Sequence, residues 1–153
     1  VEAAQVASNT KVNEKIKISL GVGEKNSFNE KTEILAEVLS HPEGTVEYEA
    51  SLAKGKRGHL GKCALLGIEN LKIIVHDQPV MLIDAAPYKA AGLTPSDADV
   101  IQAKSHTTFR SGFEKISKSF FVSNTPGPTP IDLTNLDYVN RPHPLHPFET
   151  IDK

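Results

Sequence analysis

Near the end of the chain His143, His146 and Glu149 stand within seven residues, and imidazoles with a carboxylate form a common donor set for zinc. They fall on the run Arg141-Pro-His-Pro-Leu-His-Pro147 and just after it. In a polyproline-like segment three residues advance the chain by about 9 Å, while two ligands of one zinc must nearly touch. A metal here needs a turn that the prolines oppose, so an extended, surface-wrapping tail is the expectation. His76-Asp77 could orient an imidazole for acid–base work, yet no nucleophile is tied to it by sequence, and a surface turn is the simpler reading. His41 and His59 stand in proline- or glycine-bearing loops, where exposed histidines are ordinary.

The run Lys104-Ser-His-Thr-Thr-Phe-Arg110 is more informative. A strand ending in Lys-Ser and opening a helix gathers cations, hydroxyls, an imidazole and free helix N–H groups at one place, which favours carboxylates or other anions. Lys104, Ser105, His106, Thr107 and Arg110 are therefore the candidate residues facing a substrate or partner. A capped helix with a merely solvated start fits the same residues, and local physics leaves both readings open. Two glycine-rich loops, Gly21-Val-Gly-Glu-Lys25 and Gly55-Lys-Arg-Gly-His-Leu-Gly61, could also present N–H groups to an anion. The first lacks the Gly-Lys-Ser/Thr ending of a phosphate loop, and the second does not lie between a strand and a helix.

The elements that must position these residues read as strand-rich. Ile16–Leu20 alternates, Thr32–Leu39 places Ile34, Ala36 and Val38 on one face, and Val46, Tyr48, Ala50 and Leu52 alternate beyond the turn His41–Gly44. Those last two runs predict a hairpin, while 54–61 is too rich in glycine for regular structure. Cys63–Ile68, Leu71–Val75 and Val80–Ile83 follow as three short strands whose tight turns require antiparallel pairing. Asp84 can cap a short helix over Pro87–Ala91 that Gly92 ends. A strand is expected over Asp99–Lys104, then a helix over Thr107–Ser119 with Phe109, Phe113, Ile116 and Phe120 on one face. Pro126–Pro130 and the later prolines suggest an extended end. The class is α+β: a strand-rich mixed sheet with antiparallel hairpins, two short helices and an extended proline-rich C-terminal tail. Residues 1–15, polar and Ala-rich without a clear strand or helix face, read as a linker or disordered lead-in, and 16–153 as a single domain.

With 153 residues and a formal net charge of −2, the chain is large enough to bury a core, and no strong field favours nucleic acid or an acidic membrane. One cysteine, Cys63, excludes an internal disulfide and a cysteine-based metal cage, so a reducing, cytoplasmic setting is expected. No apolar stretch approaches the length of a membrane span, and Val1-Glu-Ala-Ala-Gln lacks the pattern of a signal peptide.

Several stretches, in order, resemble the C-terminal domain of the microcystinase-C-like (MlrC-like) zinc metallopeptidases. They are Ser19-Leu-Gly-Val-Gly-Glu-Lys25, the segment from Gly61 onward, Val100-Ile-Gln-Ala-Lys-Ser105 with Phe109-Arg110, Phe113 and Ile116, and the ending Pro126-Gly127, Asp132-Leu133, Arg141-Pro142 and Pro147. Together they run from about residue 16 to the end. At one point the chain departs from the pattern: the family often has a histidine directly before the Phe-Arg pair, where this chain has Thr108, with His106 two residues earlier. The resemblance implies an upstream catalytic domain whose histidines and carboxylates hold a zinc ion that activates water for amide hydrolysis. None of those ligands is matched in this chain, which would pack on that domain as an accessory part, inactive alone, and contribute to a pocket for a peptide or amide substrate. On that reading an exposed apolar patch is expected beside the strands. A free-standing anion- or protein-binding module stands as the alternative, and an enzyme assembled from distant loops, with His76, His106 and His143 converging, as a third.

Overall fold

A computed structural model describes residues 2–21, 31–50, 53–105, 107–125 and 132–150. Four strands, β1 (Lys15–Leu20), β2 (Thr32–Ser40), β5 (Cys63–Ile68) and β6 (Leu71–His76), form one sheet in the order β1-β2-β5-β6. A second sheet pairs β3 (Thr45–Glu47) with β4 (Arg57–His59). The α+β, strand-rich class holds. Every pairing among the described residues is antiparallel rather than mixed.

Register follows from which side chains can be buried. Ile18 faces Ile34 across β1 and β2, Val38 faces Leu66, and Ala64 faces Val75. These residues build the first core cluster on one sheet face. Ala4 and Ala7 of helix α1 (Glu2–Asn9) complete it. Residues 2–9 are thus a packed helix, not a polar lead-in. Its buried side chains are alanines, too small to give a strong apolar stripe in sequence, yet small enough to let the helix lie close against the sheet. His41 Nε2 donates to the Ala7 carbonyl at 3.2 Å, closing the last turn of α1.

The opposite face, toward the β5–β6 end, is covered by a second cluster of Val46, Tyr48, Ala53, Leu60, Cys63, Ala86 and Ala91. Cover on both faces explains why Cys63–Leu66 is buried at four successive positions, where a half-exposed strand would alternate. Helix α2 (Ala86–Ala90) belongs to this layer. Asp84 Oδ1 accepts from the Ala86 N–H at 3.0 Å, and Gly92, at φ +80°, ends the helix in a conformation that side chains disfavour.

Four expected elements differ, each because side chains capture the backbone groups or apolar faces a regular element would use. β3 pairs with β4, inside the glycine-rich 54–61 run, instead of forming a hairpin with β2. The Tyr48 ring packs over Gly58 of β4, with Cε2 and Oη 3.6 Å from where a Cβ would stand, an ordinary van der Waals distance. Val80–Ile83 is irregular, since the Met81 N–H donates to Tyr48 Oη at 2.9 Å rather than to a neighbouring strand. Asp99–Lys104 is irregular as well, and the Gln102 carbonyl accepts from Tyr88 Oη at 2.6 Å. Helix α3 covers only Phe109–Phe113. Eleven residues of straight helix would separate Phe109 from Phe120 by about 16 Å, but their ring centroids are 5.7 Å apart. The aromatic spacing therefore encodes a folded-back ring contact rather than one face of a longer helix.

Candidate functional site

The segment singled out by its polar side chains lies on an arm, residues 98–125, that leaves the second cluster after α2 and a 3-10 turn at Pro95–Asp97. Two attachments fix its course. Tyr88 takes the Gln102 carbonyl, and burial pushes the Tyr88 hydroxyl up to about 12. Farther on, Phe113 is buried and meets the Tyr88 ring edge-on at 5.9 Å, while Gly112 lies directly on the backbone of Ile83 and Asp84.

On this frame Lys104 and Thr107 are exposed and Ser105 is half-buried, its N–H donating to the Ala103 carbonyl at 2.9 Å. His106 lies outside the described residues. Arg110 is exposed, with its guanidinium carbon 5.5 Å and 5.3 Å from the centroids of the Phe109 and Phe120 rings. Five residues make α3 too short for a strong helix dipole, and its N-cap, Thr108, makes no side-chain capping bond. What the arrangement offers is a planar cation held against two aromatic rings. Such an Arg keeps its outer N–H groups available to an acceptor.

Asp84, legible in sequence only as a helix cap, joins three segments. Its Oδ2 accepts from the N–H groups of Glu49 at 2.9 Å and Ala50 at 3.0 Å while Oδ1 serves α2. No local pattern ties residue 84 to residues 49 and 50, so sequence reasoning had no signal for this role. A shallow, open depression nearby is lined by Glu47, Tyr48, Glu49, Lys54 and Gly55, and Lys89 Nζ pairs with Glu49 across 2.7 Å.

His41, His59 and His76 are committed to backbone groups. His59 Nδ1 accepts from the Gly61 N–H at 2.8 Å, and His76 Nδ1 donates to the Gln78 carbonyl at 2.7 Å. Asp77 Oδ1 accepts from the Lys62 N–H at 2.9 Å. Burial, with Asp77 adding to it, pushes the Cys63 thiol up to about 11, so it is no nucleophile at neutral pH. Hydrogen bonds to Asp77 and His76 thus shape a turn and leave no acid–base pair.

In the tail, the expected extended course gives way to a turn. The Leu145 N–H donates to Glu149 Oε2 at 2.7 Å, and the Phe148 and Glu149 N–H groups both donate to the Leu145 carbonyl. His143 Nδ1 and Arg141 Nη1 lie 3.1 Å and 2.6 Å from Glu149 Oε1. Arg141 also stacks over Phe148, 4.5 Å from its centroid. The Leu145 N–H, then Arg141 and His143, hold the Glu149 carboxyl below the usual carboxylate range. A guanidinium on the carboxylate opposes a metal there, and His146 stays exposed outside the group. Among the described residues no three His, Cys, Asp or Glu side chains are grouped to hold a metal ion, and no helix is long and apolar enough to cross a membrane. The zinc implied by the resemblance therefore finds no ligand set in these residues.

Large apolar side chains are exposed along the arm and the tail, including Val100, Phe121, Val122, Leu136, Tyr138 and Val139. On the sheet itself Leu35 and Leu71 are exposed.

No curated protein matches the sequence. The fold is similar to part of the crystal structure of a "Putative metallopeptidase" from Mesorhizobium sp. BNC1, with a TM-score of 0.79 at 18% identity. That likeness covers 99% of this chain but 30% of the other, so this chain spans less than a third of its neighbour's length. The model of the MlrC C-terminus matches residues 1–140, taking in α1 and the stretches noted in the sequence as far as Asp132-Leu133 but not Arg141-Pro142 or Pro147, and the chain therefore belongs to the MlrC C-terminus family.

Proposed function

We propose that this chain is the C-terminal accessory domain of a metal-dependent peptidase or amidohydrolase, packed on an N-terminal catalytic domain of the same protein. One observation carries the reading: nearly the whole fold recurs as 30% of a longer chain described as a metallopeptidase. The remainder of such a protein has room for the catalytic domain that the family implies, and zinc is the metal proposed for it. Its chemistry there would be activation of water for attack on an amide carbonyl.

Within that reading Lys104, Ser105, His106, Thr107 and Arg110 face the substrate or the catalytic domain. Arg110, stacked on Phe109 and Phe120, has the geometry to hold a carboxylate of a peptide or acidic amide. A cytoplasmic setting is part of the proposal.

Amide hydrolysis should be measured for the parent polypeptide and for the 153-residue chain, each with added zinc. Hydrolysis by the parent alone, abolished by chelation, is expected. In the parent, Arg110→Ala should raise KM for acidic substrates roughly tenfold or more, the loss of one charge-assisted contact. Turnover by the 153-residue chain itself, lost on changing His143 or His146, would overturn the accessory reading.

A further inference from the structure

Val100 is 85% and Phe121 93% exposed, although the arm bearing them is tied down between them. The Tyr88 bond to Gln102, the seat of Gly112 on Ile83 and Asp84, and buried Phe113 all lie in the stretch they flank. Ile116 and Val122 add to the apolar surface. A tied-down segment that holds a phenylalanine and several aliphatic side chains in water gains nothing from them within its own fold, and apolar side chains exposed along such a segment point to a contact surface.

The neighbour's dimensions identify an occupant. Because the likeness covers 99% of this chain, it includes the arm. The arm's path thus recurs in a protein where 30% of the chain accounts for this fold and the remaining part is available to cover it. We infer that the arm, through Val100, Ile116, Phe121 and Val122, is the docking surface for the catalytic domain, and that it fits a complementary apolar groove there. This rests on the accessory-domain reading and deepens it by assigning the face. Arg110 and Lys104 then lie at the rim of the contact, where charged groups belong in an interface. The exposed Leu35 on β2 is a different case, since its cross-strand neighbour is Lys17 and the same face carries Glu33 and Glu37.

The test uses the full-length protein with a benzoyl-phenylalanine photocrosslinker replacing Phe121 in one sample and Leu35 in another. Crosslinked peptides are identified by mass spectrometry, with isotopically mixed protein separating contacts within a chain from those between copies. Crosslinks from position 121 to upstream peptides of the same chain, with none from position 35, are expected. Phe121→Ser and Val100→Ser should then raise amide exchange along the arm at least tenfold in the full-length protein. Upstream crosslinks from position 35 alone would overturn the assignment of the arm while leaving the accessory-domain reading standing. Crosslinks from 121 only to other copies would overturn it in favour of self-association. Absence of upstream crosslinks from both positions would sink the docked accessory domain as well.

Discussion

In the four-stranded sheet, β1 and β2 are joined through six consecutive residue pairs, as are β5 and β6, and the cluster under α1 draws on all four strands. The arm after Asp97 has no such ladder among its described residues. Its backbone bonds are those of α3 and of short turns such as Ser117 to Phe113, and its course depends on Tyr88, Asp84 and Phe113. The sheet is stabilised by many replaceable contacts, whereas the arm hangs on few. Segments of the second kind are the ones that rearrange or dock, since releasing them costs little of the global stability. Function is thus better sought on the arm than on the sheet.

Asp84 gives the sharpest test, because it lies where the arm meets the second cluster. Asp84→Ala removes the acceptor for three N–H groups, those of Glu49, Ala50 and Ala86, and a buried donor left unpaired costs about 1–3 kcal/mol. A loss of about 3 kcal/mol or more is expected in urea unfolding, with the midpoint falling at unchanged slope. A loss below about 1 kcal/mol would mean that the junction is not organised by this carboxylate.

Legibility divides along the same line. β1, β2, β5 and β6 were readable because each carries its own pattern: Ile16–Leu20 alternates, and Cys63–Ile68 is an apolar run closed by the Glu69-Asn70 turn. α2 was readable through Asp84, Pro87 and Gly92. Helix α1 was not, since alanines score weakly however well they pack. Nor were the irregular stretches at Val80–Ile83 and Asp99–Lys104, where Tyr48 and Tyr88 decide the outcome from 33 and 14 residues away. At the candidate site, the residue types of Lys104 to Arg110 were visible, but the guanidinium against both the Phe109 and Phe120 rings depends on a chain reversal that periodicity disguises as a helix. Likewise the tail's prolines concealed a turn organised by Glu149.

Two glycines set the regions against each other at equal chemical change. A Cβ at Gly112 would stand 2.0 Å from the Ile83 carbonyl oxygen and 2.6 Å from Asp84 Cα, both backbone atoms. Gly112→Ala must therefore push α3 off its seat, at about 1–3 kcal/mol for such overpacking. At Gly67 on β5 the nearest atom is Leu39 Cδ1, 3.0 Å away at the end of a side chain that can turn aside, so Gly67→Ala should cost less than about 1 kcal/mol. Hydrogen exchange separates local from global effects: Gly112→Ala should speed exchange at Ile116 and Ser117 while Val38 and Leu66 keep their protection. Equal acceleration at all four amides would show that arm and sheet open together, against the contrast drawn above.

On the arm itself the smallest expected effect is at Tyr88, and its pH dependence tells how the arm is attached. Tyr88→Phe removes the bond to the Gln102 carbonyl and keeps the ring against Phe113, which should cost about 1 kcal/mol at neutral pH. Burial raises the hydroxyl to about 12 in the folded protein, while an unfolded tyrosine ionises near its usual value of about 10. The folded state thus favours the protonated form, so this stabilisation is whole below pH ~10 and is lost as pH rises through the folded value. Over that window the wild-type arm should loosen, followed by the exchange-independent ring-current shifts of Phe113, and the Tyr88→Phe arm should not. If both proteins titrate alike, the arm is held by the Phe113 and Gly112 contacts, and the hydroxyl bond to Gln102 contributes nothing to its attachment.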